Sequence, residues 1–199
     1  MTIWFASGNQ HKKAELEALL AGHTLKIPAE EGLGFDPDES GESFAENALI
    51  KARELYRLVS GLGSGPVIAD DSGLCVDALG GRPGIRSARY GNTDGARLES
   101  GERNRLLLQE LGDNPRRGAR FVCAMVLLFN EDRFFIAQET LEGELIREER
   151  GKGGFGYDPI LYLPQEGRTV AELGEDEKNR ISHRGKAARI IAGILAGLS

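Results

Sequence analysis

Cysteine is scarce in this chain, where Cys75 and Cys123 are the only two. They sit in separate apolar runs without the close spacing of a metal knuckle. Both are read as buried, reduced core residues, which fits a cytoplasmic setting better than a disulfide framework. Long hydrophobic runs are missing too. The longest, Phe121 to Phe129, has strand length and stops at Asn130-Glu131-Asp132, well short of the ~20 residues that cross a bilayer. The N-terminus carries no basic leader, so neither a targeting segment nor a membrane role is expected. Positive charge is in deficit: 25 Lys and Arg against 31 Asp and Glu leave a net charge of −6. That balance argues against a nucleic-acid-binding module. It leaves room for a small anionic substrate, because a local cleft can oppose the net field.

With 199 residues, 40% of them hydrophobic, the chain is expected to form a single domain over 1–199 with a substantial core. Thr2 to Ala6 reads as a strand, and Leu16, Leu19 and Leu20 recur behind it at helical spacing. Leu25 to Pro28 reads as a short strand, and residues 30–41 as an acidic loop. Ser43 followed by Glu46 is a capping-box pattern. It opens a helix over Phe44–Val59 with Phe44, Ala48, Leu55 and Leu58 as its apolar positions. Residues 60–66 lead into a strand at Val67–Ala69. A helix is predicted over 95–111 on Leu98, Leu106, Leu107 and Leu111. Phe121–Phe129 and Arg133–Thr140 form a predicted hairpin, and a last helix runs from His183 to Leu198 on Ala187, Ile190, Ile191, Ile194 and Leu195. Alternating strands and helices followed by a hairpin predict an α/β fold with a mixed sheet flanked by helices.

Three segments carry chemistry. Ser7-Gly8-Asn9-Gln10-His11-Lys12 is a small-residue turn between strand and helix, where backbone N–H groups, the helix dipole and the Lys12 ammonium can meet an anion. Asp70-Asp71-Ser72-Gly73 reads as a carboxylate turn at the end of a strand. Adjacent side chains on extended backbone point to opposite faces, so one carboxylate is expected to serve the site. A hard cation such as Mg²⁺ needs one or two such groups alongside substrate phosphates, and the 36–42 acidic loop can supply the second. Glycines at 151–156 allow close backbone approach to a flat ligand, Phe155 and Tyr157 supply rings, and Lys178, His183 and Arg184 supply donors for a carbonyl oxygen.

These segments, together with Glu46-Asn47-Ala48, Lys51-Ala52, Pro83-Gly84-Ile85-Arg86-Ser87-Ala88-Arg89-Tyr90 and Gly153-Gly154-Phe155-Gly156-Tyr157-Asp158-Pro159, resemble the inosine/xanthosine triphosphate pyrophosphatase family from Ser7 to Ala187. The resemblance implies two lobes with a substrate cleft between them, a homodimer, and Mg²⁺-dependent cleavage of a deaminated purine nucleoside triphosphate (ITP, dITP or XTP) between its α and β phosphates. It implies Asp71 as proton acceptor and metal ligand, with Glu39 as second ligand. Ser7, Gly8, Asn9, Gln10, His11, Lys12 and Ser72 would touch the triphosphate, and Lys51 would add a phosphate contact. Phe155, Gly156, Tyr157, Asp158, Lys178, His183 and Arg184 would form the base pocket. The rival readings are a Maf-like nucleotide pyrophosphatase of different base preference and a non-catalytic nucleotide-binding module.

Overall fold

The period-two alternation of the strands decides which helix each of their side chains meets. A computed structural model describes residues 1–62, 65–93 and 96–198. Its strands are β1 (Thr2–Phe5), β2 (Thr24–Lys26), β3 (Val67–Val76), β4 (Gly118–Asn130), β5 (Arg133–Leu145), β6 (Leu161–Leu163) and β7 (Arg168–Thr169). The helices are α1 (Gln10–Leu19), α2 (Phe44–Val59), α3 (Ser100–Leu111), α4 (Glu175–Ile181) and α5 (His183–Gly197). The strands form one mixed sheet of order β2-β1-β3-β4-β5-β6-β7. β1 is parallel to β2 and to β3, with Trp4 beside Val67, whereas β5, β6 and β7 pair antiparallel. The expected mixed sheet with flanking helices is therefore what the chain builds.

The chain divides into two compact units. The first comprises Met1–Asp71, Cys123–Glu139 and the chain from Ser182 onward; the second comprises Ser72–Val122 and Thr140–Ile181. In the first unit Ile3, Phe5, Ile68, Cys123, Met125 and Leu127 cluster with Leu16 of α1 and with Ala187, Ala188, Ile191 and Leu195 of α5. The intervening residues Trp4, Ala6, Val67, Ala69, Ala124, Val126 and Leu128 cluster with Ala48, Ala52, Leu55 and Val59 of α2. A strand buried on both faces reads as a continuous apolar run, which is the look of β1 and β4. In the second unit Leu74, Val76, Leu107, Leu111, Phe121, Leu141, Leu145 and Leu161 share a core with Tyr157. Cys75 and Cys123 are both free and buried, as expected.

Several boundaries differ from expectation. β3 does not stop at Ala69 but continues through Asp70-Asp71-Ser72-Gly73 to Val76, so the predicted carboxylate turn is mid-strand. Pro28–Glu31 forms a short 3-10 helix inside the stretch read as strand end and loop. The predicted 95–111 helix begins at Ser100, where Glu99 and Glu102 make a capping box; Gly95 lies outside the described residues, as do Gly63 and Ser64 of the 60–66 connection. Leu98 thus precedes α3. Leu58 and Ile190, placed on buried stripes by spacing, are 40% and 44% exposed, because each lies at the edge of its helix's apolar face. Short β6 and β7, and α4, had no counterpart in the sequence reading.

Candidate active site

In the first unit β3 carries Ile68 toward α1 and α5, and Val67 and Ala69 toward α2. Continuing the alternation sends Asp70 to the α1/α5 face and Asp71 to the α2 face. The hydrogen bonds agree. Asp70 Oδ1 accepts from Lys12 Nζ at 2.5 Å, and its Oδ2 accepts from Arg184 Nε at 2.8 Å. Arg184 also donates through Nη1 to Glu15 Oε2 at 2.5 Å. Asp71 Oδ1 instead accepts from Lys51 Nζ of α2 at 2.8 Å, and Lys51 donates to Glu39 Oε1 at 3.0 Å. Asn47, also on α2, accepts from the Gly41 N–H at 2.9 Å and reaches Asp71 Oδ2 at 3.4 Å. It thereby ties the loop that carries Glu39 to the strand that carries Asp71.

The electrostatics of the two neighbouring carboxyls diverge. Burial pushes Asp70 up, but Arg184, Lys12 and Lys51 outweigh it and hold this carboxyl far below the usual range. Burial also pushes Asp71 up, and here Lys51 and Lys12 oppose the rise without cancelling it. Lys51 loses from burial, yet Asp71, Asp70 and Glu39 more than compensate and hold its pKa above the ordinary value. Asp70 is therefore a fixed anion that positions cations, whereas Asp71 is a proton acceptor stronger than an ordinary carboxylate.

The Ser7–Lys12 turn is less open to an anion than its sequence implies. Asn9 caps α1 by accepting from the His11 and Lys12 N–H groups at 2.9 and 3.2 Å, and Ser7 Oγ accepts from the Asn9 N–H at 3.1 Å. Three of the backbone donors expected to face phosphate are thus already used. Gly8, Asn9, Gln10 and His11 are exposed, and Lys12 points back at Asp70. His183 is buried at the start of α5, where Ser182 caps the helix by accepting from the Gly185 N–H. Among the described residues no group of three or more His, Cys, Asp or Glu side chains is placed to hold a metal ion. The oxygens of Asp71 and Glu39 nevertheless converge on one ammonium.

The second unit holds the rest. Ser72 follows Asp71 in β3 and is half-buried. Phe155 is half-buried, with Lys178 Nζ 4.7 Å from its ring centroid. Asp158 Oδ2 accepts from Lys178 Nζ at 2.8 Å and from the Phe155 N–H at 2.8 Å. Gly154 has φ +69°, and a Cβ there would collide with the Asp158 carboxylate, so this turn requires glycine. The Tyr157 ring is part of the core, and its hydroxyl donates to the Ser87 carbonyl at 2.9 Å; it anchors the turn from behind. Sequence reasoning gave no role to Asp70, Glu15 or Asn47. For Asp70 the alternation along β3 was the available signal.

Three comparisons place the chain among known proteins. The model of the Ham1 family matches residues 3–193. A dITP/XTP pyrophosphatase of Treponema denticola is 49% identical over 197 residues, covering 99% of this chain and 100% of the relative. One from Shigella flexneri is 46% identical over 198 residues, covering 97% of each. The solved structure of a HAM1 protein from Coxiella burnetii superposes with a TM-score of 0.87 at 40% identity, covering 99% of both chains.

Proposed function

The chain belongs to the Ham1 family, and from that premise we propose that it is a nucleoside triphosphate pyrophosphatase acting on deaminated purine nucleotides, ITP, dITP and XTP. The products are the nucleoside monophosphate and pyrophosphate. The observation that carries this reading is the convergence of Asp71 and Glu39 on Lys51 Nζ, at 2.8 and 3.0 Å, on a buried strand one residue from a second, cation-locked carboxylate.

Water attacks the α-phosphorus. A new P–O bond forms there as the α–β bridging P–O bond breaks, pyrophosphate leaves, and Asp71 takes the proton of the attacking water. Burial, which raises the Asp71 pKa, suits it to that role. Lys51 places its ammonium beside Asp71 and Lys12 is held by Asp70, and the Ser7–Lys12 turn and Ser72 serve the phosphates. Asp71 and Glu39, which Lys51 joins here, are hard oxygen donors of the kind a divalent ion such as Mg²⁺ takes; these two carboxylates would hold it, and it would supply positive charge to the phosphate oxygens.

Phe155 to Asp158 and Lys178 serve the base, joined in this reading by His183 and Arg184. Lys178 is the donor to a 6-carbonyl in this reading, because its ammonium lies 4.7 Å from the centroid of the Phe155 ring. Hypoxanthine and xanthine present that carbonyl, whereas the adenine amino group leaves the donor unpaired. The homodimer and the cytoplasmic setting belong to the same reading.

Pyrophosphate release across ITP, XTP, GTP and ATP, with and without EDTA, tests it. ITP and XTP should be hydrolysed at least about a hundredfold better than ATP, and EDTA should abolish release. Equal rates for ATP and ITP, or ITP binding without pyrophosphate release, would contradict it.

A further inference from the structure

Asn104 occupies a place on α3 that packing reserves for apolar side chains. It lies three and seven residues before Leu107 and Leu111, the buried stripe of that helix, and is itself only 1% exposed. Its side-chain amide donates twice through Nδ2, to Glu149 Oε1 at 2.7 Å and to the Gly156 carbonyl at 3.1 Å. Both partners are acceptors, and that fixes which end of the amide faces them. The cost falls on the opposite end, where Asn104 Oδ1 is buried and has no hydrogen-bond partner among the described residues. A buried acceptor in this position calls for an explanation beyond packing. What the amide holds, rather than what it gains, accounts for its presence.

What it holds is the turn that presents Phe155. Gly156 has φ +64°, in the left-handed region. Because the peptide unit is planar and trans, pinning its carbonyl fixes the whole 156–157 plane and turns the Tyr157 N–H away from α3. Tyr157 is locked from below through its hydroxyl on Ser87, and Phe155 is tied on the other side through its N–H to Asp158. The Gly156 carbonyl is the point between those ties that the Asn104 amide grips.

We infer that Asn104, oriented by Glu149, is a positioning residue for base recognition: it sets the Gly156 peptide and with it the stacking ring of Phe155 and the Asp158–Lys178 pair. This rests on the base role of residues 155–158 proposed above. A positioning residue at the base end should affect how well a purine is bound and told apart, and leave the handling of the phosphates alone.

Asn104→Leu keeps shape and burial but removes the donor. KM for ITP should rise about tenfold and the ITP-over-ATP preference should shrink by a similar factor, with kcat little changed. The inhibition constant of inorganic tripolyphosphate, which has no base, should stay at the parent value. Glu149 is exposed, so its variants are expected to fold even if Asn104→Leu does not. Glu149→Ala should move KM and preference in the same direction by a smaller factor, and Glu149→Gln, which retains an acceptor oxygen, should match the parent. Unchanged KM and preference in Glu149→Ala, or in a folded Asn104→Leu, would overturn the inference. So would a loss that fell equally on ITP, ATP and tripolyphosphate. Failure of the function reading itself would show separately, as a parent enzyme that does not favour ITP over ATP. The shift in KM for whichever triphosphate that parent hydrolyses, set against unmoved tripolyphosphate inhibition, still decides the role of Asn104.

Discussion

Lys51 is an ammonium buried between Asp71 and Glu39, so removing its charge leaves two carboxylates facing each other without the cation that joins them. Lys51→Met should cost about 3 kcal/mol, read as a lower urea midpoint at unchanged slope; a midpoint equal to the parent's would show that the pair carries no weight. Asp71→Asn keeps shape and removes the proton acceptor, so kcat for ITP should fall by about 10²–10⁴ while the protein remains folded. Near-parental kcat would end its role as base. Asp70 behaves differently, since its carboxyl pKa is lowered on folding. Its contribution to stability is complete above the ordinary carboxylate range and is lost as pH falls below it. Asp70→Asn should therefore flatten the acid limb of the stability profile. The doublet was legible in the sequence, but the partners of Asp70 were not. Lys12 and Arg184 lie 58 and 114 positions away, and no local pattern announces contacts at that range.

β3 shows how composition misleads at the scale of an element. Asp-Asp-Ser-Gly is turn chemistry by residue type, yet the strand runs straight through it because tertiary contacts override local preference. Gly73 is there for closeness: a Cβ would press on Ser87 Oγ, on Ser87 Cβ at 2.9 Å and on the Gly84 carbonyl at 2.5 Å. Ser87 is in turn fixed by the Leu74 N–H at 2.8 Å, and its carbonyl receives the Tyr157 hydroxyl. Gly73→Ala should cost about 2 kcal/mol through overpacking, measured as a fall in Tm; an unshifted Tm would mean that the 3-10 segment at Gly84–Arg89 yields freely. Helices with strong caps were legible, as Ser43 and α2 show. α4, β6 and β7 have seven residues or fewer, too few to establish a period.

The molecule as a whole assembles each unit from separated stretches of chain, and that interleaving leaves no mark in composition. It follows from which strands neighbour which in the sheet. The expectation of mixed α/β architecture needed only the order of elements and was legible; the allotment of residues to units was not. A homodimer is part of the proposed function, and light scattering in solution should return twice the chain mass, whereas a monomer at working concentration would remove that part of the reading. The central claim is that water, activated by Asp71, attacks the α-phosphorus of a deaminated purine triphosphate. Hydrolysis of ITP in ¹⁸O-labelled water followed by mass spectrometry of the products tests it most directly. The label should appear in inosine monophosphate and be absent from pyrophosphate; label in pyrophosphate, or in released orthophosphate, would place the attack at another phosphorus and contradict the account.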